Sequence, residues 1–430
     1  MDKRDQPART GPCLPSVLVT GGCGFIGLNL VHHLLSRGLC DRVVVLDNLS
    51  VGTLEDLEMV LSEIGEWEIQ EGGMMSGPGA APAADRTYRL VRHAGSAPLP
   101  EGRSTPTVAF FRLDIRDPRG LDALVAPCSA VVHLAAQTGV IPSLEDPVYD
   151  MEQNVRGTLN LLEACRRAWL APGAANAATA TATIATPAPA PGHRAPRRFV
   201  FASSSAPLGE QDPPIDERKV PRPLSPYGAS KLAGEGYCSA YAGSFGLETI
   251  ALRFSNVYGP RSTYKNSVVA KFIKNILAGE PLTIYGTGGQ TRDFIYTADL
   301  CTAIERALVT SDPRAPGSVF QIATFRETTV NELAEKLKAI AERAGFGPVE
   351  IRYAAERAGE IRRSFSDISR ARAVLGYEPA YDLDAGLEAT WQWFLCRSSG
   401  PAEKTRPIIS GAGSTLLDAT SPKWHRRLTR

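Results

Sequence analysis

The sequence lacks an excess of charge of either sign. Its 430 residues contain 47 Lys and Arg against 46 Asp and Glu, which gives a formal net charge of +1. A chain without a dominant positive field is not expected to bind nucleic acid or an anionic membrane through its overall charge. Any anionic ligand must therefore be held by a local group of side chains.

Long apolar runs and closely paired cysteines are also missing. No stretch approaches the roughly 20 apolar residues of a membrane-spanning helix, and the first ten residues, MDKRDQPART, have no apolar core. The eight cysteines are scattered singly, without the spacing of a zinc site or a dithiol redox motif. We therefore expect no metal, free thiols and a cytoplasmic location.

Four segments differ in composition from the rest of the chain: 1–14, 65–106, 171–196 and 399–430. The second is rich in Gly, Pro and Ala, and the third is a low-complexity run of Ala, Thr and Pro. Such compositions cannot bury a large apolar face. We predict flexible tails at both ends, and two insertions that form mobile surface excursions without a chemical role.

The remaining sequence alternates short β-branched runs with helical patterns. The runs are SVLVT, RVVVLD, FFRLD, AVVHLA and RFVFAS. This alternation predicts an α/β fold in which helices cover both faces of a doubly wound parallel (Rossmann) sheet, here within 15–255. The less regular 256–398 is predicted to form mainly a smaller C-terminal α/β lobe that binds the substrate, with part of it returning to the sheet.

A glycine-rich turn joins the first run to an apolar helix. Glycines permit a tight turn and the close approach of backbone N–H groups to a pyrophosphate, which the helix N-terminus also attracts. The alternative is a tight turn that binds nothing, and the strand, helix and spaced acid together disfavour it. The predicted cofactor-binding residues of this turn are Gly21, Gly24, Phe25, Ile26 and Gly27.

The ends of later strands complete the predicted cofactor site. Asp47 ends the second run, 20 residues after Gly27, where a carboxylate can accept hydrogen bonds from both adenosine ribose hydroxyls. An acid there repels a 2′-phosphate and so favours NAD over NADP. Ligands of a doubly wound sheet bind at the carboxyl ends of its strands. The other candidates near such ends or an adjoining helix are Asn48, Asp114, Ile115, Leu134, Ala135, Ala136 and Asn154.

Tyr227 and Lys231 are four residues apart at the start of a helical pattern, so both side chains project from one face. A lysine ammonium and an oxidised nicotinamide would both stabilise a phenolate, so that the pKa of the tyrosine falls toward neutrality and it can act as a general base. A surface tyrosine and lysine are the alternative. The hydroxyl-rich end of the strand RFVFASSSA favours the catalytic interpretation.

Nine motifs in order resemble the extended short-chain dehydrogenase/reductase family of nucleotide-sugar enzymes, and most closely its UDP-galactose/UDP-glucuronate-type epimerases. They are TGGCGFIG, LDNLS, LDIRD, VVHLAA, NVRGTLNLLEAC, FASSSA, SPYGASKLAGE, RFSNVYGP and QTRDFIY. The resemblance makes Tyr227 the base. Lys231 would tune that base and hold the nicotinamide ribose, and Ser204 would help to move the proton. It also implies tightly held NAD, inversion at C4 of the sugar through a 4-keto intermediate, and a homodimer built by the helices that follow Asn154 and Tyr227.

The residues after Ser204 distinguish enzyme types within the family. Dehydratases of the family typically have Asp-Glu at the next two positions, and its decarboxylases keep a Glu there. This chain has Ser205 and Ala206 instead. Elimination would lack its acid and base, which favours an epimerase over a dehydratase or decarboxylase. A non-catalytic NAD-binding scaffold is a further alternative, and the intact Ser204, Tyr227 and Lys231 disfavour it.

The resemblance also implies a binding site for a nucleotide-activated sugar, with a UDP-sugar as the favoured substrate. Arginines suit a diphosphate, a carboxylate suits ribose hydroxyls, and a tyrosine can stack on uracil. A small Ser364 would leave room for a 2-acetamido group, whereas Pro207-Leu208, in place of the usual Val-Tyr, would reshape the pocket. The predicted substrate-binding residues are Ser204, Asn256, Tyr285, Arg292, Arg357, Glu360 and Ser364.

Overall fold

The computed structural model describes residues 14–71, 85–91, 105–170, 197–356 and 361–398. Its strands are β1 (Val17–Thr20), β2 (Arg42–Asp47), β3 (Trp67–Glu71), β4 (Arg86–Leu90), β5 (Thr107–Arg112), β6 (Ala130–His133), β7 (Arg198–Ser204), β8 (Glu248–Phe254), β9 (Asn256–Tyr258), β10 (Leu282–Tyr285), β11 (Thr291–Arg292), β12 (Phe294–Tyr296), β13 (Ser318–Ile322), β14 (Thr328–Thr329) and β15 (Ile351–Ala354).

The α-helices of the described residues are α1 (Phe25–Ser36), α2 (Leu54–Ile64), α3 (Leu121–Val125), α4 (Val140–Glu145), α5 (Pro147–Met151), α6 (Gly157–Leu170), α7 (Pro226–Phe245), α8 (Val268–Leu277), α9 (Thr297–Val309), α10 (Val330–Arg343), α11 (Ser369–Leu375) and α12 (Leu383–Ser398). A π-helical turn, Glu152–Arg156, leads into α6, and a short 3-10 turn, Ala206–Leu208, follows β7.

Nine strands form the central sheet in the order β13-β8-β7-β6-β1-β2-β5-β4-β3. The strands from β13 to β5 pair in parallel. The chain order reverses direction at β1, with β2 on one side and β6 on the other, and this reversal opens a crevice at the carboxyl ends of the strands. The structure confirms the predicted doubly wound α/β fold with a smaller C-terminal lobe.

Both faces of the parallel strands are buried, which explains their continuous apolar runs. In β1, Val17 and Val19 face one layer of helices, formed by α1, α2, α9 and α11, and Leu18 faces the other, formed by α3, α6 and α7. Side chains alternate between the faces of a strand, so each run supplies both cores at once. The site-bearing helices α1 and α7 therefore lie on opposite faces of the sheet.

The first insertion differs from its prediction. Residues 67–71 and 86–90 are not excursions but the antiparallel strands β3 and β4, which extend the sheet beyond β5. Tyr88 is 1% exposed, and its hydroxyl donates to Glu58 Oε1 at 2.9 Å. The Gly/Pro/Ala-rich composition of 65–106 belongs mainly to 72–84 and 92–104, which lie outside the described residues, as do the insertion 171–196 and the tail 399–430. Of the predicted tail 1–14, only Leu14 is described, and it is buried, not part of a flexible tail.

The smaller lobe has its own core and three two-stranded sheets, which pair β10 with β15, β11 with β14 and β12 with β9. Helices α8, α10 and α12 pack around Trp391, which is fully buried. Helix α9 instead packs on the large sheet, and strand β13 pairs with its strand β8. Among the described helices, none has both the length and the apolar character to cross a membrane.

Candidate active site

A cavity of about 680 Å³ lies between the carboxyl ends of the sheet strands and the smaller lobe. Its wall brings together residues that are as much as 309 positions apart, Gly21 and Val330. The predicted site residues on this wall are Gly21, Gly24, Phe25, Ile26, Gly27, Asp47, Asn48, Ile115, Leu134, Ala135, Ala136, Ser204, Tyr227, Lys231, Asn256, Tyr285 and Arg292.

Three described residues that were predicted to bind a ligand do not line the cavity. Asp114 accepts a hydrogen bond from Asn48 Nδ2 at 3.1 Å, so it positions a wall residue instead of forming the wall. Asn154 is 1% exposed, and its amide donates to Ser230 Oγ at 3.0 Å. Ser364 lies outside the cavity wall.

The π-helical turn accounts for the position of Asn154 away from the cavity wall. It turns Asn154 into the protein and leaves the preceding residue, Gln153, on the cavity wall. Such a turn is set by tertiary packing and has no signature in the sequence. The two remaining predicted substrate residues, Arg357 and Glu360, lie outside the described residues.

The glycine-rich turn is built so closely that side chains would not fit. Gly21 adopts φ +70°, and a Cβ there would lie 2.7 Å from the backbone nitrogen of Ala135. A Cβ on Gly27 would lie 2.2 Å from the carbonyl oxygen of Gly21. Helix α1 begins directly after the turn, so its first N–H groups face the cavity without intrahelical partners. This cradle suits a pyrophosphate.

Asp47 is fixed at the cavity by backbone hydrogen bonds. Its two carboxylate oxygens accept from Cys23 N at 2.9 Å and from Leu49 N at 2.8 Å. Burial raises the pKa of this carboxyl, and the backbone hydrogen bonds oppose that rise. Each oxygen retains a lone pair for a ribose hydroxyl. The cradle and Asp47 therefore fit the two halves of an adenosine diphosphate.

Helix α7 positions the candidate catalytic pair. Ser225 caps the helix by accepting from Gly228 N at 3.1 Å, so Tyr227 and Lys231 lie one turn apart in its first two turns. A Cβ on Gly234 would lie 2.3 Å from the Phe201 ring, which shows how closely α7 packs against β7. That close packing brings Tyr227 to the end of β7, beside Ser204.

The electrostatics of the pair are dominated by burial. Burial raises the pKa of Tyr227 to about 12, while a hydrogen bond from Ser204 lowers it. Burial also lowers the pKa of Lys231 to about 8. Without the oxidised nicotinamide, whose charge the sequence-based prediction also required, burial keeps the pKa of Tyr227 above its usual value. The further stabilisation of a phenolate must come from the charge of an oxidised nicotinamide.

Several cavity residues were missed at the sequence level. They include Gln153, Thr138, Arg261 and Lys265, none of which belongs to a motif with a chemical rationale. Gln153 Nε2 is buried and has no hydrogen-bond partner within the part of the chain that the structure describes. A buried amide without a partner at a cavity wall is a candidate ligand contact. Within the same residues, no group of three or more His, Cys, Asp and Glu side chains could hold a metal ion.

A doubly wound sheet with a glycine cradle, an acid at the end of the second strand and a Ser-Tyr-Lys set is typical of a dinucleotide-dependent enzyme. Residues 17–323 match the NAD dependent epimerase/dehydratase family. The chain belongs to this family, and NAD is its cofactor. Gly21, Gly24, Gly27 and Asp47 are the residues whose geometry fits the dinucleotide.

Individual relatives span nearly the whole described chain. A UDP-glucose 4-epimerase from Mycolicibacterium smegmatis is 32% identical over 385 residues, which are 89% of this chain and 99% of the relative. The Thermus thermophilus UDP-glucose 4-epimerase, solved with NAD, is 32% identical with a TM-score of 0.63 and covers 88% of this chain and 99% of its own. The UDP-glucuronic acid 4-epimerase from Bacillus cereus, solved with UDP-glucuronic acid and NAD, is 27% identical with a TM-score of 0.66. The match covers 89% of this chain and 99% of the Bacillus cereus chain.

Proposed function

We propose that this protein is an NAD-dependent epimerase that inverts C4 of a UDP-sugar. The observation that carries the proposal is the distribution of charge in the cavity. Ser204, Tyr227 and Lys231 line one region of it, and Asp47, beside the glycine cradle, is the one carboxylate on the wall formed by the described residues. Proton and hydride transfer at a single carbon needs one base, whereas elimination of water needs an additional acid and base.

The chain's own residues would act on the proton of the sugar hydroxyl. Ser204 Oγ accepts from Ala206 N at 3.2 Å, which leaves its own hydrogen free for the Tyr227 oxygen. Tyr227 would take the proton from the sugar and return it, with Lys231 supplying positive charge beside it. Bound NAD supplies the hydride acceptor and donor. A planar 4-keto sugar that turns over between the two transfers would give the inverted product.

The nucleotide end of the substrate would lie against the smaller lobe. Arg292 NH1 donates to the carbonyl oxygens of Thr291 and Ile361, both at 2.7 Å, and these bonds fix the direction of the guanidinium. A fixed guanidinium suits a diphosphate. Tyr285 lines the same part of the wall and would stack on uracil, and Asn256 would contact the sugar nucleotide from β9. Arg357, Glu360 and Ser364 stay predictions from the resemblance.

The direct test is incubation of the purified protein with UDP-hexoses, UDP-N-acetylhexosamines and UDP-uronic acids. We expect NAD to be retained through purification and one or more substrates to convert to the C4 epimer with unchanged mass. Loss of water or carbon dioxide from the product would instead identify a dehydratase or decarboxylase. Retained NAD without conversion of any sugar would support a non-catalytic scaffold.

We also propose that the protein is a homodimer formed through α7 and its neighbours. Helices α4 and α5 pack against α7 and expose Ile141 and Val148, which are 61% and 65% exposed. On α7, Tyr237 and Phe245 are 37% and 49% exposed. A monomer would leave this apolar surface in water. Sedimentation should show a dimer, and Tyr237→Glu should shift it to a monomer; sedimentation as a monomer at high concentration would contradict the proposal.

A cytoplasmic location remains part of the proposal. Cys23, Cys128, Cys165 and Cys238 are among the described cysteines, and all four are buried as free thiols. Free thiols suit a reducing compartment. Secretion of the protein by its host, measured by fractionation, would contradict this location.

A further inference from the structure

The cavity contains a cation that the proposed reaction does not use. Lys265 lies in the loop between β9 and α8, is half-buried, and lines the cavity wall. Its ammonium donates to Thr138 Oγ1 at 3.3 Å. Among the described residues, no carboxylate forms a salt bridge with it, and burial lowers its pKa. Even partial burial of an ammonium without a carboxylate beside it is unfavourable, and a bound anion would offset that cost.

The loop that carries Lys265 is held firmly. Lys274 Nζ donates to the Lys265 carbonyl oxygen at 2.7 Å and to that of Thr263 at 3.3 Å. The backbone N–H of Lys265 donates to the Ser262 carbonyl oxygen at 3.0 Å. At the start of the loop, Arg261 NH1 donates to Asn29 Oδ1 at 3.0 Å. These bonds fix the backbone from which the Lys265 side chain enters the cavity.

Lys265 lies toward the catalytic end of the cavity. Thr138, its hydroxyl partner, follows β6, and the charge of Lys265 lowers the pKa of Lys231 through electrostatic repulsion. Two ammonium groups therefore act on the same region, where oxidised nicotinamide would add a third positive charge. Such a region attracts a substrate that carries negative charge close to its reacting carbon.

The chemistry of the sugar identifies that charge. In a hexose, C6 is attached to C5, next to the C4 that reacts, so a C6 substituent lies beside the catalytic residues. A carboxylate at C6 would form charge-assisted hydrogen bonds with the ammonium, whereas a neutral hydroxymethyl group would leave the charge unpaired. The diphosphate lies further from C4 and has Arg292 on the smaller lobe as its proposed partner.

We propose that Lys265 binds the C6 carboxylate of a UDP-hexuronate, which makes a UDP-uronic acid the preferred substrate class. Thr138 positions the ammonium and is available to donate to the same carboxylate. This inference rests on the proposed epimerase function, because it places the sugar with its C4 at Tyr227.

The test compares UDP-glucuronate with UDP-glucose in the NAD-loaded wild type and in Lys265→Met, by calorimetric binding and by kcat/KM. We expect the wild type to bind and convert the uronate better. Lys265→Met should weaken uronate binding and lower its kcat/KM by roughly 30–100-fold and change both values for UDP-glucose less than threefold, as estimated for a lost charge-assisted hydrogen bond. Lys265→Arg should restore most of the preference for UDP-glucuronate over UDP-glucose. Lys338→Met on α10, which lies outside the cavity wall, is the matched control for loss of one positive charge.

Three outcomes would overturn the inference. If Lys265→Met lowered binding and kcat/KM equally for both sugars and also weakened binding of UDP alone, Lys265 would be assigned to the diphosphate. Loss of retained NAD in Lys265→Met would assign it to the cofactor. Epimerisation of UDP-glucose by a wild type that neither binds nor converts the uronate would refute the uronate preference and leave the proposed function standing. Uronate binding that depends on Lys265, without epimerisation of any sugar, would refute the proposed function alone.

Discussion

The ammonium of Lys231 lies 6.0 Å from the centre of the Tyr227 ring and donates to the carbonyl oxygen of Ala202 at 2.9 Å. The hydrogen bond holds the charge beside the ring without neutralising it. Since the pKa of Lys231 is about 8, the ammonium is mostly protonated at neutral pH. Its charge is therefore present when the phenol must lose a proton.

Replacing Lys231 by Met should move the activity to higher pH. Without the ammonium, the pKa of Tyr227 rises further, so kcat at neutral pH should fall by about 10²-fold or more, the lower end of what general acid–base catalysis contributes. A pH profile of kcat should show the rising limb displaced toward alkaline pH. An unchanged profile would show that the charge of Lys231 does not tune Tyr227.

Replacing Tyr227 by Phe should abolish turnover and leave the cofactor bound. The ring keeps its packing, and only the hydroxyl that exchanges the proton is lost, so kcat should fall by roughly 10³-fold. Retained NAD, measured by absorbance after denaturation, and an unchanged circular dichroism spectrum are the controls. Comparable activity in wild type and variant would remove the tyrosine from the mechanism.

Replacing Gly27 by Ala should release the cofactor. The added Cβ would lie 2.2 Å from the Gly21 carbonyl oxygen, so the cradle must shift, at a cost of about 1–3 kcal/mol. We expect loss of retained NAD and a lower melting temperature. Gly243→Ala, in α7, is the matched control, because a Cβ there meets nothing within 4 Å. It should leave NAD bound and raise helix stability slightly. Full NAD retention by Gly27→Ala would contradict the role of the cradle.

Much of this site follows from the sequence because its elements are local. The turn from β1 to α1 and the Tyr227–Lys231 spacing are each contained in one short segment, and they lie where the pattern predicted. The positions of Lys265 and Gln153 on the cavity wall could not be predicted in this way, since they depend on how a loop and a π-helical turn pack against distant strands.

The same limit applies to the edge of the sheet. The composition of 65–106 suggested no regular structure, and it concealed two short strands, β3 paired with β4 and β4 paired with β5, which begins at Thr107. Their apolar side chains, such as Tyr88, are few, and burial against α2 is what stabilises them. A composition averaged over 42 residues, from 65 to 106, cannot show a pairing that involves only ten of them.

Acid should destabilise the protein through His133. This side chain is buried between the hydroxyls of Thr20 and Thr158, and burial together with the charge of Lys231 lowers its pKa to about 3 from 6.5. Between pH 6.5 and about pH 3, the unfolded chain therefore binds one more proton than the folded protein. Stability is fully present above pH 6.5 and falls by about 1.4 kcal/mol per pH unit as the pH drops toward 3.

Denaturant unfolding of His133→Asn at several pH values checks this contribution. The variant should be less stable at neutral pH, because two buried hydroxyls lose their partner. Its free energy of unfolding should fall less steeply with acidification than that of the wild type. The two slopes should differ by about the contribution of one proton. Identical slopes in the two proteins would exclude His133 as the responsible group.

The two outer strands of the nine-stranded sheet affect how the protein behaves at high concentration. No described strand pairs with β3 on its outer side, where the carboxylates of Glu68 and Glu71 are exposed. At the opposite margin, Arg370 of α11 donates to the Val319 carbonyl oxygen of β13 at 3.2 Å. Charge at one edge and a helix at the other hinder pairing with a strand of another molecule, which is the step that begins aggregation. A protein with a large open sheet can therefore stay in solution at high concentration.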